Sequence, residues 1–170
     1  RATWRATDLR RPFCMDRFTV QPAVGIDASR ADRIDAMVRW ARAQVGVRYV
    51  WGGAGPIGYD CSGLALQGMY AGGLVLPTVT TDLHQRQDFG TATAIYESGL
   101  KRVRLADRQR GDLVFWGYPG AMSHMAVYLG EDRILEAVRP RVRYASLWSH
   151  SPLPLKPYVV RPFTVRQTAG

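Results

Sequence analysis

The stretch "SHMAVYLGEDRILEAV" occupies residues 123–138. Two strand-like runs flank the turn formers Gly130, Glu131 and Asp132. Side chains alternate along a strand, so Met125, Val127 and Leu129 form one apolar face, fit for a core. His124, Ala126 and Tyr128 share the other, which would turn His124 toward a cleft. The register decides where Glu136 falls. A three-residue turn, Gly130–Glu131–Asp132, pairs Leu129 with Arg133 and sets Glu136 opposite Ala126. It then lies one diagonal step from His124, ~7–8 Å between backbones and within reach of long side chains. A two-residue turn at Glu131–Asp132 shifts the pairing by one and sends Glu136 to the opposite face. A His–Glu pair needs the first register; otherwise Glu136 is an edge-strand charge.

Around this hairpin the chain is helical first and strand-like later. Ile34, Met37, Val38, Ala41 and Val45 recur at helical spacing. Ser29 with Asp32 makes a capping box, and Gly46 is placed to end the helix in a left-handed turn. A glycine-rich loop between Trp51 and Tyr59 leads to a second helix, from near Cys61 to Gly72–Gly73. Gly63 and Gly68 inside it cost ~1 kcal/mol each relative to Ala, which points to close approach of another backbone. "LPTVTTDLHQRQ" (76–87) reads as a turn and a short helix, and residues 91–110 as a polar connector. "GDLVFWG" (111–117), "VRYASLW" (142–148) and "KPYVVRPF" (156–163) supply three more strands. Helices followed by antiparallel strands argue an α+β fold.

The chain has 170 residues, about one domain, with 46% apolar and 22% charged residues. Its net charge of +9, nearly all from arginine, favours polyanions: nucleic acid, anionic lipid or an acidic wall polymer. No phosphate-binding Gly-Lys loop, zinc-type cysteine pair or RNA-binding aromatic signature is present, so no nucleic acid, metal or cofactor is expected. No apolar run reaches the ~18–20 residues of a membrane span. Residues 1–28 read as an irregular leader that wraps the domain or links it upstream, with its first ten residues equally readable as a loose tail. Phe13, Phe18 and Val20 are its docking candidates. Residues 29–165 make the domain and 166–170 a tail.

Cys61, in "YDCSGLALQ" (59–67), is the candidate nucleophile. In the first turn of a helix, free N–H groups and the macrodipole favour a thiolate and can help hold an oxyanion. By itself a lone cysteine beside apolar residues is more often a small buried hydrophobe than a nucleophile. A Cys14–Cys61 disulfide is possible by count, but it would inactivate a catalytic Cys61, so both thiols are expected free. Of the three histidines, His124 is the candidate base. His84, in a polar helix, and His150, in a Ser/Pro-rich loop, read as solvated surface. Asp112 reads as a turn carboxylate.

Three blocks in order, "VRYVWGGAGPIGYDCSGLALQ", "RQRGDLVFW" and "SHMAVYLGEDRILEA", resemble the NlpC-type cysteine peptidases of the papain-like clan. "KPYVVRPF" and the glutamate twelve residues after the histidine are similar to the actinobacterial Rip endopeptidases. The resemblance covers roughly residues 30–163. It implies a central antiparallel sheet packed by N-terminal helices, and hydrolysis of peptidoglycan stem peptides, commonly between D-glutamate and the diamino acid. It gives Cys61 the role of nucleophile, His124 that of base and Glu136 that of orienting group. Tyr49 would line the cleft near the oxyanion, and Asp60 and Ser62 would read the substrate's polar end. Met125 stands where valine is usual, and "CSGLALQGMYAGG" is richer in glycine than usual. A secreted or wall-associated bacterial monomer is expected. A non-catalytic or leader-blocked wall-binding module, and an amidase or acyltransferase of the same clan, are the rival expectations.

Overall fold

The computed structural model describes residues 19–76, 79–81, 84, 91–118 and 120–164. Helix α1 (Arg30–Ala43) starts at the expected capping box: the Ser29 Oγ accepts from the Asp32 N–H, and the Asp32 carboxylate accepts from the Ser29 N–H. Ile34, Met37, Val38 and Ala41 bury one face, while Val45 lies past the helix end and is exposed. Gly46 adopts φ +91°, and its N–H reaches the Val142 carbonyl, tying the helix exit to the sheet.

Helix α2 (Cys61–Ala71) is buried on every side after its first residue. A helix without a polar face must be enclosed by protein. α1 packs on one side, with Met37 and Trp40 against Gly68. The 53–54 loop lies on another: a Cβ at Gly63 would sit 2.0 Å from the Gly53 carbonyl oxygen. The expected backbone approach is therefore real at Gly63, whereas Gly68 makes room mainly for side chains.

The sheet has six strands in the order β1-β6-β2-β3-β4-β5: Lys101–Arg104, Leu113–Trp116, His124–Gly130, Arg133–Val138, Arg141–Ser146 and Tyr158–Arg161 for β1 to β6. Among the described residues, the pairings between these strands are antiparallel. The connector expected over 91–110 instead holds a short helix α3 (Thr91–Tyr96) and β1. β1 is three-quarters charged, so composition hides it; at the sheet edge only one side needs a partner, which β6 supplies. The helix expected over 76–87 lies largely outside the described residues, with Thr81 and His84 helical.

Met125 and Val127 join Met37, Ala65, Leu66, Met69 and Phe115 beneath the helices. The other face is not an open cleft. Trp116, Ala126, Tyr128, Ile134 and Val159 are buried there, with Leu147, Leu153 and Leu155 from the β5–β6 connection laid across them. That cover comes from a Ser/Pro-rich segment with no periodicity to announce it.

The β3–β4 hairpin reconciles both turn readings. Glu131 (φ 51°) and Asp132 (φ 54°) form a two-residue turn, and Gly130 pairs with Arg133. The register then shifts between Tyr128 and Gly130, so that Tyr128 faces Ile134 and Val127 faces Leu135. A bulge at Leu129 absorbs one residue, and Glu136 comes level with Ala126 on the face of His124. The turn is the two-residue one, and the bulge restores the even register that the His–Glu pair needs.

Asp112 is fully buried and takes a bidentate pair from Arg161, Nε to Oδ1 at 2.9 Å and NH2 to Oδ2 at 2.8 Å. It also accepts the Gln109 N–H, which makes it a turn carboxylate that locks β6 to the start of β2. Residues 1–18, with Cys14, Phe13 and Phe18, lie outside the described residues, as does the 166–170 tail. Val20 donates its N–H to Gln67 Oε1, and Ala23 to the Ala71 carbonyl, so residues 20–23 run along the later turns of α2. Arg33 gathers the carbonyls of Ala28, Ile26 and Gly72.

Gly63→Ala should be severely destabilising. Overpacking costs about 1–3 kcal/mol or more, and here the obstacle is backbone, which cannot rotate away. Urea denaturation should show a lower midpoint at an unchanged slope; a wild-type midpoint would refute this packing.

Candidate active site

Asp60 builds the start of α2. Its Oδ1 accepts the Gly63 N–H at 2.8 Å as the helix cap, and its Oδ2 accepts the Gly52 N–H at 2.9 Å. One carboxylate thereby fixes both the helix start and the glycine loop. Ser62 is buried and donates to Asp60 Oδ1 at 3.3 Å. His84 is only 3% exposed and no surface residue. Its Nε2 lies 2.9 Å from Asp60 Oδ1, a close but poorly aligned contact, and its Nδ1 is 2.9 Å from Thr91 Oγ1.

Cys61 is a free, half-buried thiol next to this cap. The Met125 and Ser62 backbone groups hydrogen-bond its sulfur and favour the thiolate. Met125 follows His124 directly, so the sulfur sits beside the strand that carries the histidine. Burial, and then the Asp60 charge, nonetheless push the thiol up to about 12. The helix start therefore does not deliver the resting thiolate that its dipole alone suggests. Tyr49 is half-buried nearby, its phenol also raised to about 12 by burial and by the charges of Cys61 and Asp60. It stays a hydrogen-bond donor at neutral pH.

His124 opens β3 opposite Trp116, with its ring 5.4 Å from the indole. Its Nε2 is 2.7 Å from Glu136 Oε2, the pairing that the even register permits. Glu136 is fully buried and takes two further partners: His150 Nε2 at 2.5 Å on the same oxygen, and Arg143 Nε at 3.0 Å on Oε1. Burial by itself would raise this carboxyl; the donors from His124 and His150 outweigh it and hold Glu136 at about 2. Burial also lowers the pKa of His124, against the pull of Glu136.

An ionised carboxylate only accepts hydrogen bonds, so both Nε2 atoms must carry protons. A neutral His124 then has Nδ1 free to accept one. At rest the thiol is protonated, and burial disfavours the charged form of the His124 imidazole. His150 was missed in the sequence because its loop lacks periodicity; only the fold of the β5–β6 connection brings it to Glu136, its ring 4.5 Å from that of His124.

A cysteine starting a buried helix, set against the strand of a histidine that is bound to a buried glutamate, is the layout of a papain-like α+β domain. The chain belongs to the NlpC/P60 family, whose model matches residues 46–154. Peptidoglycan endopeptidase RipB of Mycobacterium tuberculosis is 32% identical over 123 residues, which cover 65% of this chain and 45% of RipB. RipA of the same organism is 32% identical over 140 residues, covering 74% of this chain and 26% of RipA. The chain thus spans less than half the length of these curated relatives. The solved structure of RipB superposes with TM-score 0.59 at 28% identity, covering 79% of this chain and 68% of that one. RipD of M. tuberculosis, described as a non-catalytic NlpC/p60 domain protein adapted to peptidoglycan binding, gives TM-score 0.59 at 25% identity, over 76% of this chain and 97% of its own.

Asp60→Asn keeps a capping oxygen but removes the charge that raises the thiol. Alkylation of Cys61 by iodoacetamide should therefore begin at lower pH than in the wild type. An unchanged rate-against-pH curve would exclude Asp60 as a source of the shift.

Proposed function

We propose that this chain is a cysteine endopeptidase that hydrolyses peptidoglycan stem peptides, at the D-glutamyl–diamino acid bond, through Cys61, His124 and Glu136. The observation that carries the reading is the 2.7 Å His124–Glu136 bond, which leaves Nδ1 as the imidazole's proton acceptor, on the strand whose Met125 backbone hydrogen-bonds the Cys61 sulfur. His124 takes the thiol proton as sulfur attacks the carbonyl, since burial disfavours a standing ion pair. Glu136 stabilises the imidazolium that forms. His124 then protonates the leaving amine, and water, deprotonated by the same imidazole, resolves the thioester.

Tyr49 is assigned to the cleft near the oxyanion, which a phenol held protonated suits. Asp60 and Ser62 are assigned to the polar end of the substrate, from their positions beside Cys61. The net charge of +9 suits an anionic wall polymer, though most of that attraction is screened at physiological salt. Acting on such a polymer places the protein outside the cytoplasm, secreted or wall-associated. Among the described residues, no helix is long and apolar enough to cross a membrane. The domain acts as a monomer over residues 29–165.

Digestion of defined muropeptides, read by mass, tests this. The wild type should cut the D-glutamyl bond and Cys61→Ala should not. Glu136→Gln should lose about two orders of magnitude or more in kcat, the scale of a disabled acid–base group. Binding without cleavage by the wild type would instead put this chain with RipD, as a wall-binding domain. Products extended by an acceptor amine would make it a transferase.

A further inference from the structure

Three side chains converge at the back of the site: His124, Glu136 and His150, whose ligand atoms all lie within 4.8 Å of one another. Only the first two serve the proposed reaction. Both imidazoles point Nε2 at one carboxylate oxygen, while Arg143 engages the other oxygen. Two imidazoles and one carboxylate form the donor set of an exchangeable zinc site.

We propose that His124, Glu136 and His150 form a site for a borderline transition-metal ion, zinc foremost, and that occupying it switches the thiol chemistry off. The inhibition, though not the binding, rests on the peptidase reading. Imidazole ligands select zinc, copper or nickel over magnesium and calcium. The ion would take Nε2 of each histidine and Oε2 of Glu136. Tetrahedral zinc with bonds of about 2.0–2.1 Å sets its ligands roughly 3.3 Å apart. The present contacts of 2.7 Å and 2.5 Å must therefore open by several tenths of an ångström. His150 can give: it sits on a connection rather than a strand, its side chain 15% exposed. Arg143 stays on Oε1, and its positive charge keeps the affinity below that of a structural zinc site.

The consequence for catalysis follows from proton placement. At rest each imidazole carries its proton on Nε2. Metal binding needs that lone pair, so on a neutral His124 the proton relocates to Nδ1 through solvent. His124 then presents an N–H where the mechanism needs an acceptor, and cannot take the Cys61 proton. Zinc elsewhere commonly poisons thiol enzymes through the sulfur; here the ligands lie behind the histidine, and the sulfur is not needed.

Titration of Zn2+ into Cys61→Ala by calorimetry, with Co2+ absorption as a second readout, separates these cases. One equivalent should bind with a tetrahedral cobalt spectrum, and Mg2+ and Ca2+ should not compete. His150→Gln keeps a donor for Glu136 but lacks the imidazole, and should weaken binding by about 100-fold or more, since loss of even a supporting outer residue costs about 10–100-fold. In wild type, muropeptide cleavage should fall with Zn2+ and return with a chelator. No binding to Cys61→Ala, or wild-type affinity in a folded His150→Gln, overturns the site. Binding without inhibition of an active wild type overturns the tautomer step. If the wild type cuts nothing, the peptidase reading fails, while the titration still decides the site.

Discussion

The structure turns on the Glu136 carboxylate, a negative charge held with no solvent exposure. An unpaired buried charge costs several kcal/mol, and Glu136 has no water to turn to. It exists as an anion because three donors meet it from β3, β5 and the β5–β6 connection. Each element must be in place for the others to be tolerated. The bulge at Leu129 sets the face, the cross-strand pairing with Arg143 supplies one cation, and the apolar cover of Leu153 and Leu155 brings His150 in. Stability and chemistry are coupled here: the contacts that make the buried charge acceptable also fix the tautomer of His124.

A second carboxylate, Asp60, plays the matching part on the cysteine side. It caps α2 and pins the glycine loop through Gly52 and Gly63. Its charge also lies close enough to the sulfur to oppose ionisation. The thiol is positioned by a group that helps hold it protonated, and the proposed reaction therefore moves its proton to the histidine at the moment of attack. In the proposed reaction the two buried anions serve opposite ends of one proton path, one keeping the proton on sulfur and the other stabilising it once it has moved to the imidazole.

Much of this was legible in the residue order. The capping box at Ser29, the buried stripe of α1, the helix from Cys61 and the apolar face of β3 follow from local periodicity and short-range hydrogen bonding. The charged strand β1 was not legible, because an edge strand needs only one paired side and can be almost wholly polar. The hairpin was legible in outcome but not in cause: a two-residue turn and a bulge give the register that a three-residue turn was expected to give. A bulge leaves no mark in composition when the bulged residue is an ordinary leucine.

The sequence by itself determined the family and the fold class, and singled out Cys61, His124 and Glu136 as candidates, since those rest on spacing within blocks and on patterns a few residues long. Only the tertiary structure decided which groups surround them. His84 and His150 both sit in polar segments that read as surface, yet one is buried against Asp60 and the other shares the oxygen of Glu136. Their burial depends on where distant connections pack, and polar composition carries no trace of that. The protonation of Cys61 is likewise a tertiary property: the helix start favours a thiolate, but the depth of burial and the nearest charge outweigh it.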